Sequence, residues 1–429
     1  MAFFIEIATS NHGMRIILIL ICCTLGISIC FAQQTLKGKV IASDSKQPIH
    51  LANVFLSNTS IGTVTNAEGV FILDRFPQGR FDVVISCIGY ETYVTTIQYA
   101  QLPVFIEVVL KPKVNILQEV IVEPYEKNGW ERYGEFFMEN FIGTSALAAD
   151  CKLKNPETIR FRYNRKENIL RAFADEPIVL ENKALGYILR YDLKTFEYNY
   201  STRIFYFQGY PLFEDIETNR KRLLNRWEKN RAEAYYGSIM HFMRSLFRNQ
   251  LIENGFEVRK LIKVSEEEKK RVRSIYNSRT YINGSGNIVV NDSLLGNGNK
   301  DSADYYRKVM RQPEKMAILI NQLLPGDSIA FAIDSFTAGL YFDDHLQVIY
   351  KYKQVPDEYV RKNSLSVQPK TPVMSEIFLP RKTAVAVLAN GSFFEGIDLI
   401  SSGYWGWWEK LATMLPFDYK PPSRKVNSE

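Results

Sequence analysis

The sequence predicts two fold classes in series: a small all-β sandwich at the front and a larger α+β domain with antiparallel sheets behind it. Three observations carry this reading. Residues 62–90 pair turn chemistry at Asn66 to Gly69 and at Gly79 with period-two apolar runs, Val70 and Ile72, then Phe81, Val83, Ile85 and Cys87. Further on, the alternation Tyr187, Leu189, Tyr191, Leu193 adjoins helical spacing in Leu223, Trp227, Ala234, Tyr235, Ile239, Phe242 and Leu246. The aromatic share is 13%, mostly 24 Tyr and 27 Phe, which suits half-buried strands.

In chain order, Met14-Arg15, the apolar run Ile16 to Phe31 and Ala32 read as an export signal over residues 1–32, with the residues before Met14 as a surplus start. The run is shorter than the roughly 20 apolar residues a membrane span needs, so no span is expected once the signal is removed. Cys22, Cys23 and Cys30 leave with it. Cys87 and Cys151 are too few for a disulfide framework; Cys87 falls on the apolar phase of its strand and reads as a buried thiol, and a single bridge between the two stays open.

Residues 33–112 hold short strands enough for one sandwich, opening at Leu36, Gly38 and Val40, alternating at Ala52, Val54 and Leu56, and closing over Phe105 to Leu110. Gly38-Lys-Val40, Pro48-Ile49, Ala52-Asn-Val54, Gly62-Thr-Val-Thr65, Gly69-Val-Phe71, Gly79 and Ile88-Gly-Tyr90 resemble the carboxypeptidase regulatory-like module, the transthyretin-like sandwich found at the front of outer-membrane receptors in the Bacteroidota. Asn66 stands where that family more often carries Asp, a change that keeps the turn chemistry. The resemblance implies no catalysis: in metallocarboxypeptidases zinc sits on a separate domain. His50, His241 and His345 have no metalloprotease spacing, with Asn53 and Arg244 third after the first two, so neither metal nor cofactor is expected.

Residues 113–128 read as a linker strand. Within it Leu117-Gln-Glu-Val-Ile-Val122 resembles the stretch before the plug of TonB-dependent receptors, yet the roughly 300 residues that follow are too few for plug and barrel. The second domain then divides into residues 129–263, a flexible Asn/Gly/Ser-rich insertion at 264–304, and residues 305–420, followed by a tail at 421–429. Trp130 to Ile142 is expected as an amphipathic helix, 159–207 as an antiparallel meander, Ile288 to Val290 as part of a hairpin, and Tyr305 to Leu324 as a helix.

Candidate chemistry is sparse. Residues 220–249 hold eight basic residues and two acids, an excess equal to the +6 of the whole chain. Arg231, Arg244 and Arg248 lie in or beside apolar surface, where a guanidinium needs an acceptor; they are candidate binding residues for an anionic group and equally candidates for internal ion pairs. The segment from Asn230 to Leu246 resembles a stretch in Bacteroidota envelope proteins that pair this front module with a similar second domain, a likeness that carries no established activity. Ser238 and His241 stand one helical turn apart and form the candidate hydrolytic pair, without a Gly-x-Ser-x-Gly elbow. Trp405, Trp407 and Trp408 offer rings that could stack on sugar or pack a terminal helix. The expectation is an exported, periplasmic or outer-membrane-associated protein that binds or assembles without catalysis, its partner an envelope protein or a glycan and not nucleic acid. A peptidase or glycosidase in the second domain is the rival, using Ser238 with His241 or an acidic pair among Asp175, Glu176 and Glu181.

Overall fold

The computed structural model describes residues 34–113, 124–263, 271–274, 280–282, 288–290, 305, 309, 317–363, 371–393 and 398–422. The export signal, the Leu117 to Val122 stretch and most of the insertion and tail lie outside them.

The front module is a sandwich of strands β1 (Leu36–Ala42), β2 (Asn53–Leu56), β3 (Gly62–Val64), β4 (Val70–Leu73), β5 (Arg80–Ser86), β6 (Tyr93–Gln98) and β7 (Val104–Leu110). They form one sheet of order β4-β1-β7 and another of order β3-β2-β5-β6. Alternation decides the inner faces: Leu36, Val40, Val54, Leu56, Phe71, Phe81, Val83, Ile85, Val108 and Leu110 share one buried cluster. Two sequence signals have visible causes. A Cβ on Gly38 would stand 2.5 Å from the Ile106 carbonyl oxygen and from the Phe71 ring, so the crossing of β1 over Phe71 demands glycine. Gly69 takes φ +72°, and the Asn66 amide oxygen accepts from the N–H groups of Glu68 (3.2 Å) and Val70 (2.8 Å), so Asn does here what Asp would do.

The second domain has one continuous core of its own. Its first sheet joins β8 (Cys151–Leu153), β9 (Ile159–Asn164), β10 (Ile169–Ala174), β11 (Ile178–Asn182), β12 (Tyr187–Asn199) and β13 (Ile204–Asp215) in the order β8-β11-β12-β10-β9, with β13 on the other side of β12. Helix α1 (Gly129–Phe137) runs on into a π turn at Met138–Ile142 and lays Phe137 and Phe141 on Phe161, Tyr191 and Phe196 of that sheet. The aromatic alternation seen in the sequence is thus this contact.

Helices α2 (Lys221–Tyr235) and α3 (Ile239–Phe247) follow, broken at Gly237, whose φ of +83° ends the helical run. After them come β14 (Phe256–Lys263), the hairpin β15 (Thr280–Ile282) and β16 (Ile288–Val290), β17 (Ala317–Leu323), β18 (Ala330–Ala332), β19 (Thr337–Leu340) and β20 (His345–Gln354). Helix α4 (Asp357–Asn363), β21 (Pro372–Phe378), β22 (Val385–Leu388), β23 (Ile400–Gly403) and the short helix α5 (Tyr404–Trp408) complete the chain. The second large sheet has the order β17-β14-β20-β21-β23, and β18-β19-β22 form a smaller one. One expectation is corrected here. Part of the helix expected over 305–324 is strand β17, where Ile318 and Leu319 pair with Ile262 and Leu261 of β14. The β-branched Ile318 and Ile320 favour the ladder, and a long-range partner decides between two readings that a short apolar run leaves equal.

Candidate functional site

The two modules are joined by hydrogen bonds rather than merely tethered. The loop after β2 inserts between β13 and the segment 415–422: Asn58 N–H donates to the Pro211 carbonyl (2.8 Å), Phe213 N–H to Thr59 (3.0 Å) and Phe417 N–H to Asn58 (2.6 Å). Ser60 adds a 2.6 Å hydroxyl bond to Asp418, and Thr92 a 2.6 Å bond to Asp192.

Ser238 sits at the start of α3, the first residue after the Gly237 break. Its hydroxyl accepts from the backbone N–H of His241 at 3.1 Å, which is a helix N-cap. The imidazole of His241 turns the other way: Nδ1 accepts from Gly237 N–H at 3.3 Å, and the ring packs among Tyr235, Tyr236, Phe256 and Tyr350. The sequence spacing brings the pair together, but the contact joins hydroxyl to backbone.

The three arginines part company. Arg231 donates to the carbonyls of Leu185 (2.7 Å) and Gly186 (3.2 Å), pairs with Asp215 at 2.9 Å and lies over the Tyr187 ring. Arg244, buried, donates to three carbonyls, Asn390 (2.8 Å), Tyr419 (3.0 Å) and Phe417 (3.0 Å), and burial pulls its pKa down. It is a clamp on the C-terminal segment. Arg248 is exposed at the far end of α3. Trp405 and Trp408 are buried, their indole N–H groups given to the carbonyls of Gly237 (2.7 Å) and Ala234 (3.4 Å), and half-buried Trp407 donates to Thr144 (3.0 Å). Trp405 and Trp408 close the core under the α2–α3 junction, and Trp407 packs against Tyr359 and Tyr404. Cys87 and Cys151 are free thiols, and burial pushes Cys151 up to about 12.

Between the modules lies a cavity of about 390 Å³, walled by the front sandwich (Asp82), by β13 (Tyr206), by the start of α3 (Ser238) and by the C-terminal part (Ser392, Glu409, Lys410). An open groove of about 850 Å³ adjoins it and shares Asp82 and Tyr206; another of about 560 Å³ runs past Arg231. The cavity stands apart from both because ionisable groups are set deep in its wall. Glu409 keeps only a partial opening to solvent. One of its oxygens accepts from Ile239 N–H at 2.8 Å, where the positive end of α3 favours an anion, yet burial outweighs this and the nearby Lys353 and Lys410 and raises the carboxyl to about 7. Burial likewise lowers Lys410 to about 8, against the pull of Glu409. Lys353, also lowered to about 8 by burial, lies 3.8 Å from the Trp408 ring centre and donates to the Glu233 carbonyl at 2.8 Å.

None of these three was singled out from the sequence. The available signal was Glu409-Lys410 set directly between Trp407-Trp408 and Leu411-Ala412, a charged pair inside an apolar run. Among the described residues no group of His, Cys, Asp and Glu is arranged to hold a metal ion, and no helix is long and apolar enough to cross a membrane.

Comparison with known proteins bears on the front alone. One relative is the TonB-dependent receptor SusC of Bacteroides thetaiotaomicron, 36% identical over 118 residues, which are 27% of this chain and 11% of the receptor. The chain thus spans about a tenth of that relative. A solved structure of a protein of unknown function from Bacteroides fragilis, described as membrane-associated, aligns over 82% of this chain and 92% of its own at 8% identity, with a TM-score of 0.15, too low to relate the folds. Residues 36–122 match the model of the CarboxypepD_reg-like domain, the span in which Gly38, Asn66 and Gly69 shape the sandwich. The front module of this chain is therefore a carboxypeptidase-regulatory-like domain.

Proposed function

We propose that the protein is a non-catalytic binding or assembly component of the cell envelope, working through its front module and the cavity that module shares with the second domain. The observation that carries this reading is the use of Ser238 and His241. The candidate serine nucleophile caps a helix, and its imidazole neighbour is packed against four rings. A cavity walled by both modules, with titratable groups deep in it, suits recognition.

A second feature supports a protein partner. On the outer face of the β4-β1-β7 sheet, Lys37 is in register with Ile72 on one side and Phe105 on the other, and those two are 52% and 61% exposed. Exposed apolar side chains gathered on one open sheet face beside polar residues are a feature of protein contact surfaces. Export, which the first 32 residues suggest, would place both features where envelope glycans and outer-membrane proteins are the available partners.

The test is retention. Immobilised full-length chain, passed over solubilised outer-membrane protein and glycan fractions, is expected to retain material that elutes with its mass unchanged. Phe105→Glu, a surface change expected to move stability by less than about 0.5 kcal/mol, should weaken retention of protein. Release of cleaved product would contradict the reading.

A further inference from the structure

Three polar groups along one wall of the shared cavity have bonding capacity left over. Ser392 is 7% exposed and its hydroxyl has no hydrogen-bond partner. Glu409 bonds Ile239 N–H through one oxygen, and its other oxygen meets no donor among the described residues. Lys410 has no ion-pair partner among the described residues; its amine lies 4.6 Å from the centre of the Phe205 ring. Buried polar groups are nearly always satisfied, so the unmet Ser392 hydroxyl, on the same wall as the partly open Glu409 and Lys410, points to something that fills the hollow. Besides Arg80 and Asp82, one charge of each sign, and several aliphatic side chains, two kinds of group line the rest. Partly open rings, among them Tyr206, Phe207 and Phe417, supply apolar faces, and neutral hydrogen-bonding side chains such as Asn58, Gln208 and Asn390 supply donors and acceptors. The volume is within the range of about 300–1,000 Å³ usual for small-molecule sites.

We propose that the cavity binds a carboxylated saccharide, a uronic acid unit, with its acid group on the Lys410 ammonium, its hydroxyls on Ser392 and Glu409, and its C–H face on the aromatic rings. This rests on the binding reading above and names its ligand class. An ammonium that makes no direct ion pair and has only the partly protonated Glu409 as neighbouring acid can take an anion. Glu409 repels such a ligand little below neutrality: burial keeps its carboxyl mostly protonated below about pH 7, where it can donate to a hydroxyl as well as accept. A purely apolar ligand would leave all three groups unmet. A fully acidic one, such as a phosphate, would leave the rings and the amide side chains without a role.

The full chain is titrated at pH 6.5 with glucuronate and galacturonate, and in parallel with glucose and galactose, following saturation-transfer signals and calorimetry. The uronates are expected to bind at least tenfold more tightly than the neutral sugars. Lys410→Met should abolish that preference and leave the weak neutral binding as it was, Lys410→Arg should restore much of it, and Ser392→Ala should lower affinity for both kinds several-fold. Thermal midpoints of the variants establish that each is folded. Equal binding of acid and neutral sugars, no binding of either, or a preference that survives Lys410→Met would overturn the proposal. If the cavity binds no sugar while the full chain still retains outer-membrane protein in a way that depends on Phe105, this inference fails and the envelope-binding reading stands.

Discussion

The Ser238 hydroxyl closes the first turn of α3 by accepting the His241 backbone N–H at 3.1 Å, so the most reaction-like pair in the sequence is a helix cap in the fold. Ser238→Ala should therefore cost about 1 kcal/mol of stability, while Ser238→Asn, an equally good cap, should cost almost nothing. Urea unfolding of the three proteins decides it. A Ser238→Asn variant as unstable as Ser238→Ala would mean that the hydroxyl does something other than cap.

Gly237, one residue earlier, holds φ at +83°, and a Cβ there would stand 2.7 Å from the Tyr350 ring. Both the left-handed backbone and the ring disfavour a side chain. Gly237→Ala is expected to destabilise by about 2 kcal/mol or more, read as a lower urea midpoint at unchanged slope.

Arg244 ties the segment that holds the modules together. Its guanidinium serves carbonyls on two stretches, Asn390 on one and Phe417 and Tyr419 on the other, and Phe417 in turn donates to Asn58 of the front module. Arg244→Met removes charge-assisted bonds worth roughly 1.5–3 kcal/mol each and strands three part-buried acceptors. A loss on the order of 3–5 kcal/mol is expected, with residues 415–422 becoming the first site of limited proteolysis. Arg244→Lys should recover only part, because an ammonium cannot reach all three carbonyls in the planar fork. Cleavage starting elsewhere would argue against the clamp.

Much of the front module was legible in the sequence because its signals are local. The turn at Asn66 to Gly69 and the inward alternation of Val83 and Ile85 are written in neighbouring residues. The meander and the α2–α3 pair were legible for the same reason. Strand β17 was not, since the run Ala317 to Leu323 carries no period strong enough to exclude a helix and its pairing with Leu261 and Ile262 lies more than fifty residues away. The cavity was less legible still. Its wall draws Asp82, Tyr206, Ser238, Ser392 and Glu409 from five distant stretches, and no spacing rule joins them. The clustering of positive charge in 220–249 was real in the sequence, yet Arg231 and Arg244 meet carbonyls and Asp215 inside the fold, which only the tertiary structure shows.

Glu409 gives the protein a measurable pH signature. Its folded pKa of about 7 exceeds the ordinary carboxyl value of 4.5, so the native state holds a proton that the unfolded chain releases. Its stabilising contribution is complete below about pH 4.5 and is lost as pH rises through 7. Lys353 and Lys410 face it and are lowered to about 8, so both remain largely charged across that window. His345, lowered by burial and by Lys263, has the opposite sign and is removed by comparing variants. Glu409→Gln should therefore gain stability relative to the parent between pH 5 and 8, by up to roughly 2–3 kcal/mol. A difference that stays flat with pH would show that the carboxyl titrates normally.

The measurement that bears most directly on the central claim is turnover. Peptide and glycan panels, neutral and acidic, are incubated with the purified full chain and with Ser238→Asn, and every product is followed by mass spectrometry. The account predicts that all substrates remain intact with both proteins, with acidic sugars bound but unchanged. Cleavage by the parent would contradict it, and its disappearance in Ser238→Asn at an unaltered thermal midpoint would name Ser238 as the nucleophile.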